Sequence, residues 1–189
     1  MADNPACPER HDTPDMPTLT WSSALALSHP QMDATHQEFV DLLTAAENAL
    51  VASHEAGLAA YEALVVHTIG HFGQEDRWMQ ATGYAADNCH TGQHQQVLML
   101  MQEVTRLARE ENDWGPLERV LPELGKWFEM HAQTMDAMLA SHLEQVGYDP
   151  DSGFVGHPLN TSQPVSGCGG SGHSCGSEPA GHTAETAAA

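Results

Sequence analysis

Apolar residues recur at helical spacing in four successive stretches of the chain, and no alternation of useful strand length appears between them. Pro30, Gln31, Met32 and Asp33 open the first, in which Phe39, Leu42, Leu43, Ala46 and Leu50 fall on one stripe. The second runs from about Gly57 to Thr82, carries Leu58, Tyr61, Leu64, Val65, Phe72 and Met79, and meets a stop signal at Gly83. The third begins near Asn88 or His90, carries Val97, Leu98, Met101, Val104 and Leu107, and ends in the polar patch Glu110 to Asp113. The fourth starts near Trp114 with Pro116 in its first turn, where proline is tolerated. It carries Leu117, Val120, Leu121, Leu124, Trp127, Phe128, Met135, Met138, Leu139 and Leu143 and stops at Gly147. Pro122 predicts a kink or a short preliminary helix. Four amphipathic helices with short connections predict an all-α protein, an antiparallel up-down four-helix bundle.

The flanks break this pattern. Residues 1–17 are polar and interrupted by Pro5, Pro8, Pro14 and Pro17, which predicts a flexible arm. Residues 149–189 hold eight of the sixteen glycines, four prolines and no Lys or Arg, with only Phe154, Val155, Leu159 and Val165 as large apolar residues. Such a segment buries too little apolar surface to offset its ordering entropy, so a disordered tail is expected. Residues 18–148 remain as one domain of ordinary size. Six Lys and Arg against 26 Asp and Glu give a net charge of −20, which argues against nucleic acid and anionic membranes as partners. No stretch approaches the roughly 20 apolar residues of a membrane span, and the amino terminus lacks the basic and apolar regions of a secretory signal. Four cysteines in 189 residues do not make a disulfide scaffold, so thiols and a cytoplasmic protein are expected.

The count that changes the picture is 13 histidines. Residues i and i+4 lie about 40° apart on a helix and share a face. His71 with Glu75 on the second helix, and His90 with His94 on the third, use this spacing. His36 shares its stripe with Phe39 and Leu43, and His131 lies three residues from Phe128 and seven from Met138. A single histidine on an apolar face is ordinarily a core residue with a hydrogen-bond partner. When every helix delivers one, together with carboxylates, burial without a compensating cation costs several kcal/mol per group. Mixed imidazole and carboxylate ligands without thiolate suit iron, manganese or zinc, non-haem iron in particular.

The segments Asp33-Ala34-Thr35-His36, His71-Phe72-Gly73-Gln74-Glu75, His90-Thr91-Gly92-Gln93-His94 and Trp127-Phe128-Glu129-Met130-His131 through Asp136 resemble the hemerythrins, specifically the bacterial ones, over roughly Trp21 to Leu143. The resemblance implies a di-iron centre with an oxo or hydroxo bridge in the bundle core. His90, His94 and His131 would bind one iron, His36 and His71 the other, and Glu75 and Asp136 would bridge them. These ligands and the bridge fill about eleven of roughly twelve octahedral positions, leaving one open on the two-histidine iron, where the family binds O2. His131 and Asp136 are five apart, about 140° around an ideal helix. A bridge lying between the metals, or a local widening of the π-bulge kind, reconciles them. Glu129 and Glu144, the competing carboxylates, read as solvated.

Departures from the family pattern are His67, where relatives commonly carry tyrosine, Ala132, where isoleucine is frequent, and Ala85, where proline often follows the residue matching Tyr84. His67 reads as a polar boundary residue or a support for His71, and the smaller Ala132 predicts easier solvent entry if it lines the pocket. His142 reads as a histidine without a metal role, and His11, His29 and His54 as solvated. Cys89, beside His90, reads as a structural thiol. In the tail, Cys168, His173 and Cys175, flanked by His157 and His182, are spaced more widely than usual zinc ligands. The expected function is reversible O2 binding, with O2 or another small diatomic as ligand and no chemistry on a substrate. A di-iron oxidoreductase acting on peroxide, O2 or nitric oxide is the alternative, and iron storage or donation a third.

Overall fold

A computed structural model of the chain describes residues 17–84 and 89–157. The expectations for the amino-terminal arm, Ala85, His11, His182 and the Cys168–Cys175 segment fall outside these residues. Helix α1 spans Pro30–Ala52, α2 His54–Thr82, α3 Cys89–Glu111 and α4 Gly115–His131. A π-helical turn over Ala132–Asp136 joins α4 to α5, Ala137–Gln145, so the fourth long element has two α segments. The fold is all-helical, as the apolar periodicity predicts, apart from a two-stranded hairpin described below.

The helix ends carry the expected chemistry. Pro30 opens α1, and the imidazole of His29 caps it by accepting the Met32 N–H at 3.3 Å. Ser53 is the whole α1–α2 connection, and its hydroxyl caps α2 by accepting the Ala56 N–H at 3.1 Å. Gly83 ends α2 in the left-handed region at φ 70°, which places the Tyr84 N–H on the Met79 carbonyl at 2.9 Å. The α1–α2 turn is tight enough that a Cβ on Gly57 would meet the Leu50 Cα at 2.8 Å. Helix α4 runs on through Pro122 rather than breaking there, so the expected preliminary helix does not form. Leu117, Val120, Leu121 and Leu124, all buried around the proline, hold that stretch against the core.

The core divides in two. The larger cluster includes Phe39, Leu43, Leu64, Phe72, Met101, Leu121, Leu124, Phe128 and Ala132. A smaller one joins Met32, Trp78, Met79, Tyr84, Leu139, Ala140 and Leu143. Along α1, residue 36 falls between these clusters, and along the fourth element so does residue 136. A layer of polar side chains is therefore sandwiched between two apolar plugs.

Order continues past the boundary expected at Asp149. Tyr148–Asp149 pair antiparallel with Phe154–Val155. The Asp149 carboxylate holds the turn by accepting the Asp151 N–H at 3.0 Å and the Ser152 hydroxyl at 2.6 Å. Gly153 supplies a positive φ of 71°. Composition alone misses this hairpin, because turn chemistry rather than a buried core holds it.

Candidate metal centre

All seven side chains singled out from the sequence, His36, His71, Glu75, His90, His94, His131 and Asp136, are buried and brought together in the layer between the two plugs. Helix α1 supplies His36, α2 supplies His71 and Glu75 one turn apart, and α3 supplies His90 and His94 one turn apart. His131 ends α4 and Asp136 ends the π-turn. The widened turn brings these two to the same point, with Asp136 Oδ1 3.2 Å from His131 Nε2.

Two groups form, each able to hold a metal ion: His90, His94 and His131 with both carboxylates, and His36 and His71 with the same two carboxylates. Each carboxylate divides its oxygens between the groups. Glu75 turns Oε1 to His71 Nε2 at 3.0 Å and Oε2 to His90 and His94 Nε2, both at 3.3 Å. Asp136 turns Oδ2 to His36 Nε2 at 3.2 Å and Oδ1 to His90 Nε2 at 3.0 Å.

These contacts are close but mostly not aligned as hydrogen bonds. His36 Nε2, His90 Nε2, Glu75 Oε2 and both Asp136 oxygens are buried with no hydrogen-bond partner, and His94 and His131 set their Nε2 atoms 3.2 Å apart. Atoms that converge on shared points while leaving one another unsatisfied are costly in a dry core. A cation at each point satisfies them, and an imidazole–carboxylate set without sulfur suits a hard or borderline ion. The residues therefore fit a metal pair.

The electrostatics follow from two carboxylates buried side by side. Burial pushes both upward, and the Asp136 charge adds to this at Glu75, but the surrounding imidazoles outweigh it and hold Glu75 and Asp136 well below the usual carboxylate range. Burial pulls His90 down, yet contacts with Asp136 and Glu75 carry it up to about 9. His36 and His94 are raised against burial in the same way, by Asp136 in one case and by Asp76 and Glu75 in the other. His131 is lowered by burial.

Aromatic rings stand against three of the imidazoles. Phe72 stacks on His94 at 3.9 Å and 5°, Trp127 stacks on His131 at 4.4 Å, and Phe128 stands edge-on to His36 at 5.1 Å. The sequence marked these three only as core residues. It also passed over Asp76 and Gln93, which touch the outer nitrogens of His94 and His131 at 3.4 and 3.0 Å. Their one signal is a polar residue immediately beside a ligand position, in Glu75-Asp76 and Gln93-His94.

His67 is half-buried, with Nε2 3.2 Å from the Thr35 carbonyl and Nδ1 3.6 Å from Glu38. Ala132 is fully buried within the larger apolar cluster. Glu129 and Glu144 are exposed, as expected. His29 is not solvated as expected but half-buried against Trp78, because its ring caps α1. Cys89 is disulfide-bonded rather than a thiol, and it opens α3 half-buried. Among the described residues no helix is long and apolar enough to cross a membrane.

Comparison with known proteins agrees with this geometry. Residues 28–143 match the family described as hemerythrin HHE cation binding domain. A bacteriohemerythrin of Ralstonia nicotianae is 37% identical over 134 residues, which cover 71% of this chain and 95% of the relative.

Proposed function

Because the chain belongs to the hemerythrin HHE cation-binding family, we propose that its buried cluster holds two non-haem iron ions and binds O2 reversibly. His90, His94 and His131 would hold one iron, His36 and His71 the other, with Glu75 and Asp136 bridging them. The observation that carries this reading is the unequal division of imidazoles, three against two, around a shared pair of carboxylates. A ferrous pair supplies two electrons and, on the side with fewer protein ligands, a position for a diatomic molecule.

The chain's own part is to orient and to exclude water. His36 and His71 stand beside Phe128, which is itself stacked on Phe39 at 4.0 Å. Ala132 closes the same cluster without solvent exposure. A dry wall on the two-histidine side favours release of the diatomic unchanged over its protonation and loss.

One observation favours a second reading, a di-iron oxidoreductase. Glu38 at the surface lies 3.6 Å from His67, whose ring sits 6.1 Å from that of His71. This is a chain of protonatable groups from solvent toward the two-histidine side, which turnover of the bound molecule would need.

The deciding experiment pairs an iron count with a visible spectrum through a cycle of anaerobic reduction, air and oxygen removal. The carrier reading expects two irons per chain and a colour that comes with O2 and fades without it. His71→Ala should lose that spectrum while far-UV circular dichroism keeps the helices. Rapid irreversible oxidation in the unaltered chain would overturn the carrier reading in favour of the enzyme.

A further inference from the structure

The five imidazoles of the cluster differ in what stands behind them. His131 Nδ1 lies 3.0 Å from the Gln93 side-chain oxygen, and His94 Nδ1 lies 3.4 Å from Asp76 Oδ1. The outer Nδ1 atoms of His36, His71 and His90 are buried and have no hydrogen-bond partner. The two supported rings both belong to the three-histidine group, and neither ring of the two-histidine group has such support.

The supports follow a rule of chain placement. Asp76 is the residue after Glu75 on α2 and reaches the α3 ligand His94; Gln93 is the residue before His94 on α3 and reaches the α4 ligand His131. One step around a helix is about 100°, so a neighbour of an inward-facing ligand points sideways, toward the adjacent helix. Helices α2 and α3 thus each use the position beside a ligand of their own to steady the next helix's ligand.

We propose that Asp76 and Gln93 are positioning residues that fix His94 and His131 with Nδ1–H outward and Nε2 inward, so that the three-histidine half is a rigid metal seat and the two-histidine half a yielding one. The inference rests on the metal-pair reading above. An acceptor behind a ligating imidazole selects its tautomer, holds its plane and strengthens it as a donor. The acceptors differ in kind: Asp76 is a partly exposed carboxylate, whereas Gln93 is a neutral, half-buried amide. The phenyl and indole faces of Phe72 and Trp127 stack on these same two rings and limit their rotation. Rigidity on one side keeps the pair anchored, while freedom on the other lets His36 and His71 adjust as a small ligand enters and leaves.

The test is the release of Co²⁺ from the full-length chain to a chelator, followed by the cobalt visible bands, with nitrogen-15 NMR of the metal-free chain. The expected result is biphasic release in the parent, with the slow phase accelerated about 10- to 100-fold in Gln93→Leu and in Asp76→Leu, each of which removes the acceptor. Gln93→Glu, which restores an acceptor, should return the slow phase toward the parent. Gln95→Leu, an equivalent change on the exposed face of α3, should leave it unaltered. In the metal-free Gln93→Leu chain, His131 should lose its preference for the Nδ1–H tautomer. Parent-like release and an unchanged tautomer in Gln93→Leu would overturn the proposal, as would equal acceleration by Gln95→Leu. A parent chain that takes up no Co²⁺ would overturn the metal-pair reading as well, whereas one that binds normally confines the failure to the supports.

Discussion

Asp136 lies 3.2 Å from His131 although the two are five residues apart, because the fourth element widens into a π-turn between them. The widening also shifts the phase of the helix by one residue. Upstream, Leu117, Leu121, Leu124 and Phe128 face the core; downstream, Asp136, Leu139, Leu143 and Val146 do. A regular helix through both sets would turn one of them partly outward.

The π-turn makes an exchange of neighbours informative. The double variant Met135→Asp, Asp136→Met places the carboxylate four residues after His131, the face-sharing spacing of a regular helix. In the widened turn, residue 135 is partly exposed and 136 fully buried. The variant should bind at most one metal per chain, and elemental analysis after loading checks it. Retention of a full metal pair would mean that the segment can relax to an ordinary α-helix.

The pH dependence of metal loading follows from His90. Its pKa in the metal-free fold, about 9, lies above the ordinary value of 6.5. The stability it contributes is therefore fully present below pH 6.5 and lost as pH rises through about 9. Metal binding must displace that proton, so it runs the other way. Apparent Co²⁺ affinity should rise with pH across this window by up to about tenfold per unit for each proton displaced, while the metal-free chain loses stability. Titrations at three pH values, with urea midpoints on the metal-free chain, check both signs.

Two glycines on α2 should respond oppositely to alanine. A Cβ on Gly57 would meet Leu50 at 2.6 Å and its backbone at 2.8 Å, whereas nothing lies within 4 Å of a Cβ on Gly70. Gly57→Ala should lose about 1–3 kcal/mol by forcing the α1–α2 turn apart. Gly70→Ala should gain about 0.5–1 kcal/mol by restricting the unfolded chain. Urea denaturation of the pair measures both.

An acid limb should trace to His142. This ring is buried, its Nε2–H donates to the Thr82 hydroxyl at 2.9 Å, and Thr82 in turn donates to the Trp78 carbonyl. Burial lowers its pKa, so its contribution is present above about 6.5 and lost as pH falls through the lowered value. His142→Gln keeps a donor and should flatten the fall in thermal midpoint below about pH 6.5, with little change near pH 8.

His36 was legible in the sequence because helical spacing puts it on an apolar stripe, and His71, Glu75, His90 and His94 because four-residue spacing pairs them on one helix face. Asp136 was not, since a regular helix points it elsewhere, and only the resemblance to the hemerythrins paired it with His131. Met135 and Met138, counted as stripe residues, prove only partly buried for the same reason of phase. His29 was misjudged because burial of its ring depends on a cap and on Trp78, distant in the chain, and periodicity sees neither. Asp76 and Gln93 escaped because residues beside a ligand look like an ordinary polar helix face until the neighbouring helix is in place.

Every long helix carries at least one residue of the cluster, from His36 near the start of α1 to Asp136 a hundred positions later. Without a cation, each helix can fray or swing outward separately, and its amides exchange with solvent on their own schedule. A metal pair held by all of them removes that independence, since no helix can leave without taking a ligand with it. Amide exchange in the loaded protein should therefore collapse toward one common rate across α1 to α5, making the bundle a single kinetic unit whose slowest opening sets how long the metal stays.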